Sequence, residues 1–299
     1  MHLETLKTFC DLAETGSLSR AARMNHVTQS AVSQQLRALE RRYGRRLIDR
    51  APRLGARPTE AGQAFYAELK PLLQRFGELE ERLRARPNVV AGSVRIATVY
   101  SVGLHTLPPV MKKSLAAYPS VGLRVEYRRT DQVYEACERG EIDFGIVALP
   151  ARRRGLEVTS LGHDELVLVT APEHPLARRR QLRLADLDGV SFVAFDRDIP
   201  TRRLVDRLLA RAGAAVSYAM ELDNIETIKR CVEAGLGVSL LPAPALAAEV
   251  RGRTLRARRL AESPIERPIG VIYRRPRTRE PSSAPQAFLS ILTRELPGR

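Results

Sequence analysis

The chain has 299 residues, 44% of them apolar and 28% charged, with 19 Gly and 19 Pro. This is a globular composition with room for about two domains of ~100 to 200 residues, and it excludes disordered, collagen-like and fibrous classes. The formal net charge of +15 comes almost wholly from arginine, whose planar fork suits phosphate and carboxylate, so a polyanion is a candidate partner, although charge alone leaves a solvated basic surface open.

Cys10, Cys137 and Cys231 lie far apart, with no CxxC and no Cys/His cluster, so neither a disulfide framework nor a metal site is expected. The N-terminus opens on an amphipathic pattern, and no apolar run approaches ~18 residues. A cytoplasmic protein without a membrane span is expected.

Leu3, Leu6, Phe9 and Ala13 recur at helical spacing; "TGSLS" breaks the pattern and "RAARMNH" resumes it. Two helices follow, the second capped by Ser17 or Ser19, and Thr28 caps a third. In that third helix Val32, Leu36 and Leu39 share one face, while Gln29, Ser30, Ser33, Gln34 and Arg37 share the opposite one. Surface helices ordinarily carry Glu and Lys there. This face has amides, hydroxyls and an arginine, with no acid before Glu40. Gln pairs with adenine edges and Arg with guanine edges, so the face is suited to reading bases, with an ordinary hydrophilic face as the alternative.

"LIDRAPRLGARPT" predicts a strand-turn-strand wing, with Pro52, Gly55 and Pro58 as turn residues and Arg50, Arg53 and Arg57 along it. From Arg37 to Arg57 there are eight arginines and two acids, Glu40 and Asp49, which places the excess charge where phosphate contacts belong. Thr59 and Glu60 then open a long helix. Its apolar residues Phe65, Leu69, Leu72, Phe76, Leu79 and Leu83 step by four and three in turn, a coiled-coil seam. A helix from a second subunit is the simple partner, and packing on its own domain is the alternative. Pro71 lies off the seam and is expected to bend the helix without ending it.

"RARPNVVAGS" reads as a hinge, and from Val94 strands alternate with helices as in an α/β domain. Strands are predicted at "SVRIAT", "GLRVEYR", "DFGIVA", "ELVLVTA", "SFVAF", "GVSLLP" and "PIGVIY". Helices are predicted at "LPPVMKKSLAAY", "DQVYEACERG", "PTRRLVDRLLARAG", "NIETIKRCVEAG" and "APQAFLSILTREL". No GxSxG, GxxxxGKS/T, complete GxGxxG or HExxH occurs. "GHDEL" sets His163 beside two acids, but neighbours on a strand face opposite ways, so no compact triad forms there. His105 and His174 have no spaced partner. Catalysis is therefore not expected. An architectural DNA binder, the other rival, would need no second domain with a cleft.

The stretch "FCDLAETGSLSRAARMNHVTQSAVSQQLRALERRYGRRLIDR", then "PTEAG", "AAYPSVGLRVEYRRTDQVYEACERGEIDFGIVA" and "ELDNIETIKRCVEAGLGVSLLP", resembles the bacterial LysR-type transcriptional regulators over essentially the whole chain. The resemblance implies an α/β protein overall, with an N-terminal all-α winged helix-turn-helix at 1–58 and a linker (dimerisation) helix and hinge at 59–90. A two-lobed α/β effector domain like periplasmic binding proteins follows at 91–299, lobe I being about 91–162 with 267–299 and lobe II about 163–266. Implied partners are double-stranded DNA with a pseudo-palindromic operator, a small-molecule effector, RNA polymerase and further copies of the chain, as homodimer or homotetramer. No cofactor is implied.

By position, Thr28, Gln29, Ser30, Ser33, Gln34 and Arg37 match the family's groove-reading helix, and Arg50, Arg53 and Arg57 its wing. Ser101, Val102, Thr130, Ala148, Thr201 and Asn224 match its cleft. Hydroxyls and helix-start amides suit anions, and Arg128, Arg129 and Arg202 lie nearby in sequence, so a small carboxylate, phosphate ester or inorganic oxyanion is the expected effector. Met24 and Asn25 depart from the usual aliphatic pattern, and Pro58 stands where leucine is common, which bears on local packing and wing shape.

Overall fold

The computed structural model describes residues 2–51, 55–84, 90–274 and 284–296. Pro52, Arg53 and hinge residues 85–89 lie outside the described residues, as do the side chains of Arg50 and Leu83. The chain divides into two compact units, Met1–Ala85 and Arg86–Arg299.

The first unit opens with α1 (Leu3–Thr15), α2 (Leu18–Met24) and α3 (Gln29–Tyr43). Ser17 Oγ accepts from Arg20 N at 3.4 Å and Thr28 Oγ1 accepts from Ala31 N at 3.2 Å, so both capping residues satisfy helix-start amides. Asn25 closes α2: its Nδ2 donates to Ala21 O at 2.9 Å and to Asp11 Oδ2 at 2.7 Å, a reason for a polar residue there. Phe9, Leu12, Val32, Leu36 and Leu39 meet in one core with Leu47 and Ile48. β1 (Ile48–Ala51) and β2 (Gly55–Pro58) form the antiparallel wing.

The long helix α4 (Glu60–Arg84) runs continuously through Pro71. Its seam is divided between two tasks. Leu69 is 6% exposed in the unit's own core, and Phe65 packs its ring against Phe9 and Tyr43 at 5.3 and 5.2 Å. Leu72, Phe76 and Leu79, by contrast, are 59%, 41% and 45% exposed. Tyr66 donates to Glu14 Oε1 at 2.8 Å and Lys70 pairs with the same carboxylate, which ties α4 to α1.

The second unit has two lobes. Lobe I contains β3 (Gly92–Thr98), α5 (Tyr100–Gly103), α6 (Leu107–Ala117), β4 (Val121–Tyr127), α7 (Thr130–Arg139) and β5 (Phe144–Ala148), with β3 parallel to both β4 and β5. The 15-residue β6 (Leu156–Thr170) leaves it. Lobe II contains β7 (Ser191–Phe195), α8 (Pro200–Arg211), β8 (Ser217–Leu222), α9 (Ile225–Glu233), β9 (Ser239–Pro242), α10 (Ala247–Gly252) and β10 (Arg256–Arg258). β11 (Glu266–Arg274) returns to lobe I, and α11 (Ala284–Glu295) packs there through Phe288. The first part of β6, to Glu165, pairs with β11, and from Leu166 it pairs with β9 and β10. The lobes therefore join where Asp164 and Glu165 face Arg267 and Glu266.

The strand expected at "ELVLVTA" is only the second half of β6. Its first half is mostly half-buried and carries His, Asp and Ser, so it shows neither an apolar run nor clean alternation. β8 pairs with β7 and is exposed over Ser217–Met220, which hides it from a search for apolar periodicity.

Gly62 fixes how α4 meets the wing. A Cβ placed there would stand 1.9 Å from Leu47 O, a backbone atom that cannot swing aside. Gly62→Ala is expected to destabilise the first unit by about 1–3 kcal/mol through this overpacking, read as a lower Tm or urea midpoint. An unchanged midpoint would contradict the packing.

Candidate functional site

In the first unit Thr28, Gln29, Ser30, Gln34 and Arg37 are exposed on α3 and Ser33 is half-buried, opposite the buried Val32, Leu36 and Leu39. Gln29 Oε1 accepts from Ser19 Oγ at 3.2 Å, which braces α2 against the start of α3. Arg41, Arg42, Arg45, Arg46 and, on β2, Arg57 are also exposed. Gln34, Arg37, Arg41, Arg45 and Arg46 line one open recess. Glu40, one of the two acids within this basic stretch, is already occupied: its Oε1 accepts from Leu47 N at 2.9 Å and Ile48 N at 3.2 Å. It anchors the wing to α3. The surface thus offers donors, acceptors and positive charge together, as duplex recognition requires.

In the second unit Ser101, Thr130, Ala148 and Thr201 line one small cavity, about 50 Å³, between the lobes. Ser101 comes from α5 of lobe I and Thr201 from the first turn of α8 in lobe II. Two positions expected there are placed elsewhere. Val102 is fully buried in the lobe I core because it lies on the inner side of α5. Asn224 caps α9, its Oδ1 accepting from Glu226 N at 2.8 Å.

The arginines expected to supply positive charge are already paired. Arg128 bonds Glu126 at 2.7 Å and Glu141 at 3.1 Å. Arg129 bonds Asp196 at 2.6 Å and Asp198 at 2.7 Å, crossing from lobe I to lobe II. Arg202, 3% exposed, bonds Asp206 at 2.7 Å and Phe195 O at 2.8 Å and lies over the Tyr218 ring. None is a free counter-charge for a ligand.

The residues missed from sequence are Arg267 and Asp164, which face each other in the β11–β6 register. Arg267 Nε donates to Asp164 Oδ1 at 2.7 Å and Nη2 to Oδ2 at 2.6 Å, with side-chain exposures of 1% and 6%. Its Nη1 donates to Ser101 Oγ at 3.0 Å and to Thr201 Oγ1 at 3.4 Å, one hydroxyl from each lobe. The available signal was an arginine just before the apolar strand "PIGVIY", which needs an acid opposite it once it is buried.

A second link between the lobes joins His105 Nε2 to Glu226 Oε1 at 2.9 Å. Lys229 Nζ also reaches Glu226, at 2.9 Å, and Glu249, at 2.7 Å. His163, Asp164 and Glu165 of "GHDEL" turn to three different partners, Glu266, Arg267 and Arg259. Burial pushes the Cys10 thiol up to about 12 and Cys137 up to about 11, so both stay protonated at neutral pH. Among the described residues no His/Cys/Asp/Glu group could hold a metal ion, and no helix is long and apolar enough to cross a membrane.

Burial alone would raise the Glu226 carboxyl, but hydrogen bonds from Lys229 and His105 outweigh it and hold the group below its ordinary value. A depressed carboxyl adds stability above its unfolded value of about 4.3 and loses it as pH falls through the folded value. Wild type is therefore expected to melt above Glu226→Gln at neutral pH, with the gap closing in acid. A Tm gap that stayed constant with pH would contradict this.

Residues 3–63 match the model for the bacterial regulatory helix-turn-helix protein, lysR family, and residues 87–297 match the LysR substrate binding domain. The RuBisCO operon transcriptional regulator of Allochromatium vinosum is 29% identical over 283 residues, covering 94% of this chain and 92% of that protein. A probable RuBisCO transcriptional regulator of Cyanidioschyzon merolae is 30% identical, covering 83% and 84%. Full-length CbnR in complex with its target DNA shares the fold at TM-score 0.78 and 24% identity, covering 99% and 100% of the two chains. The Synechocystis CcmR regulatory domain in complex with 2-PG does so at TM-score 0.62 and 24% identity, covering 69% and 98%. With a helix-turn-helix at one end and an effector-binding domain over the rest, the chain belongs to the LysR family of bacterial transcriptional regulators.

Proposed function

We propose that α3 enters the major groove of an operator with Thr28, Gln29, Ser30, Ser33, Gln34 and Arg37, while Arg50, Arg53 and Arg57 of the wing hold flanking phosphates. Two copies joined along α4 read the two halves of a pseudo-palindrome. The support for that joint is the exposed row Leu72, Phe76 and Leu79, which this unit's own core does not cover. The protein works in the cytoplasm, where operator DNA and RNA polymerase are found, as a dimer or a pair of dimers.

The effector is a small anion held between the lobes. One observation carries this reading: Ser101 and Thr201, buried hydroxyls from opposite lobes, line the same cavity, and Thr130 joins them at the start of α7. Amides in the first turns of α7 and α8 have no partner within their helices and favour negative charge. Binding stabilises one lobe arrangement over another and so changes how the paired reading helices engage the operator. 2-PG, named with the Synechocystis domain, is the first probe.

Gln34→Ala is expected to lower operator preference over random DNA by about 1–3 kcal/mol while leaving effector affinity unchanged. Ser101→Ala is expected to do the reverse, weakening effector binding about tenfold with operator binding intact. Gel-shift titration at two salt concentrations and ligand-induced thermal shifts read the two effects. An unmoved operator preference in the first variant sinks the reading-helix assignment, and an unmoved effector affinity in the second sinks the cleft.

Replacing both Leu72 and Phe76 by Glu sets like charges along the proposed joint. Analytical ultracentrifugation is expected to show a shift to smaller species, with the Tm of the first unit nearly kept because neither residue belongs to its core. The same sedimentation as wild type would place the joint elsewhere.

A further inference from the structure

We propose that Arg267 is a positioning residue that fixes the hydrogen-bond polarity of the cleft, so that the ligand end held by Ser101 and Thr201 carries acceptors only. This rests on the cleft reading above. A guanidinium has five N–H donors and no acceptor, so any hydroxyl bonded to it must use an oxygen lone pair. Nε and Nη2 are committed to Asp164, and Nη1 turns one hydrogen to Ser101 Oγ and the other to Thr201 Oγ1.

Each hydroxyl retains a proton of its own, and the guanidinium repels it. Among the described residues neither proton has an acceptor, although Ser101 is 7% exposed and Thr201 3%. Two buried donors left unpaired are costly, and both border the same cavity. Asp164 neutralises Arg267, so the arginine selects through the direction of the hydroxyl protons rather than as a bare counter-charge.

The two oxygens of a carboxylate, or two of a phosphate, satisfy one proton each, whereas a carboxamide offers one oxygen and sets its N–H against the second hydroxyl. An amide nitrogen or an ammonium at the same place opposes donor to donor and leaves them unpaired. Asp223, 3.7 Å from Arg129, lines the same cavity and supplies an acceptor, so the rule governs the ligand end at Ser101 and Thr201 and a ligand hydroxyl that meets Asp223 is accepted. The chemical class is therefore a small oxyanion that also carries a hydroxyl, such as a 2-hydroxy acid.

Titration of the full chain with glycolate and with glycolamide, which differ only in carboxylate against amide, tests this. Wild type is expected to prefer glycolate by about tenfold or more. In the double variant Asp164→Asn with Arg267→Gln, no buried carboxylate is left unpaired and the new amide oxygen can turn the hydroxyls round. The preference is then expected to fall to about twofold or to invert. Because the ratio is taken within each variant, general loosening of the cleft cancels. Should the double variant not fold, Thr201→Val, which keeps the ion pair, is expected to lose most of the preference. Equal binding of both ligands to wild type, or an unchanged ratio in the folded variant, overturns the role of Arg267 and leaves the cleft reading standing. Binding of neither ligand, together with no effect of Ser101→Ala on effector titration, overturns both.

Discussion

Where β6 passes from one lobe to the other, Asp164 and Arg267 bury a full pair of charges, at 6% and 1% side-chain exposure. Taking both from water costs several kcal/mol per ion, and only a bidentate geometry with further hydrogen bonds offsets that cost. Both conditions are met: two short bonds to Asp164, and Nη1 shared between Ser101 and Thr201. The pair constrains three things at once. It holds the β6–β11 register at the crossing, sets α5 against the start of α8, and orients the hydroxyls that face the cavity. A one-residue slip of register would turn Arg267 to the other face of its strand and undo all three.

The fate of the positive charge differs between the two units. In the second, the arginines near the cleft and the lobe crossing are paired internally: Arg95 by Asp143, Arg128 by Glu126 and Glu141, Arg129 by Asp196 and Asp198, Arg202 by Asp206, Arg267 by Asp164. In the first, Arg37, Arg41, Arg42, Arg45 and Arg46 stand exposed, while Glu40 is turned to backbone amides. The net charge of +15 is therefore not confined to the first unit; what sets that unit apart is that its exposed arginines are clustered on one short stretch. Field lines from an unpaired cluster reach an approaching duplex; those from closed ion pairs do not.

This explains what was legible in the sequence and what was not. Local signals carried the first unit: the caps at Ser17 and Thr28, the apolar stripe of α3 and its unusual polar face lie within a few turns of one another. The α4 periodicity was equally clear, but periodicity shows that a stripe will be buried and not by what. Phe65 and Leu69 went to the unit's own core, and Leu72, Phe76 and Leu79 did not. In the second unit, alternation of strand and helix gave the fold class and most elements, and the family resemblance pointed to Ser101, Thr130 and Thr201, which line one cavity. Arg267 and Asp164 escaped because their meaning lies in a pairing across 103 positions. Proximity in sequence was a partial guide: Arg128 and Arg129 do line the cavity and Arg202 does not, and all three have acids of their own.

The two lobes are otherwise held by contacts that are easy to break. Arg129 is 40% exposed and its partners Asp196 and Asp198 are 28% and 53% exposed, and exposed pairs of this kind contribute about 0–1 kcal/mol each. The His105 to Glu226 link gains its full charge only when the imidazole is protonated. Beside these modest gains, the Ser101 and Thr201 hydroxyl protons find no protein acceptor among the described residues, and a hydroxyl left unpaired costs about 1–3 kcal/mol. On the proposed cleft reading, a ligand that gives both protons an acceptor gains more where the lobes bring the two hydroxyls together than where they stand apart in water. Differential affinity of this origin, a few kcal/mol for two bonds, shifts a two-state population by about two orders of magnitude, which is what an effector must supply to act as a switch rather than as a passive occupant.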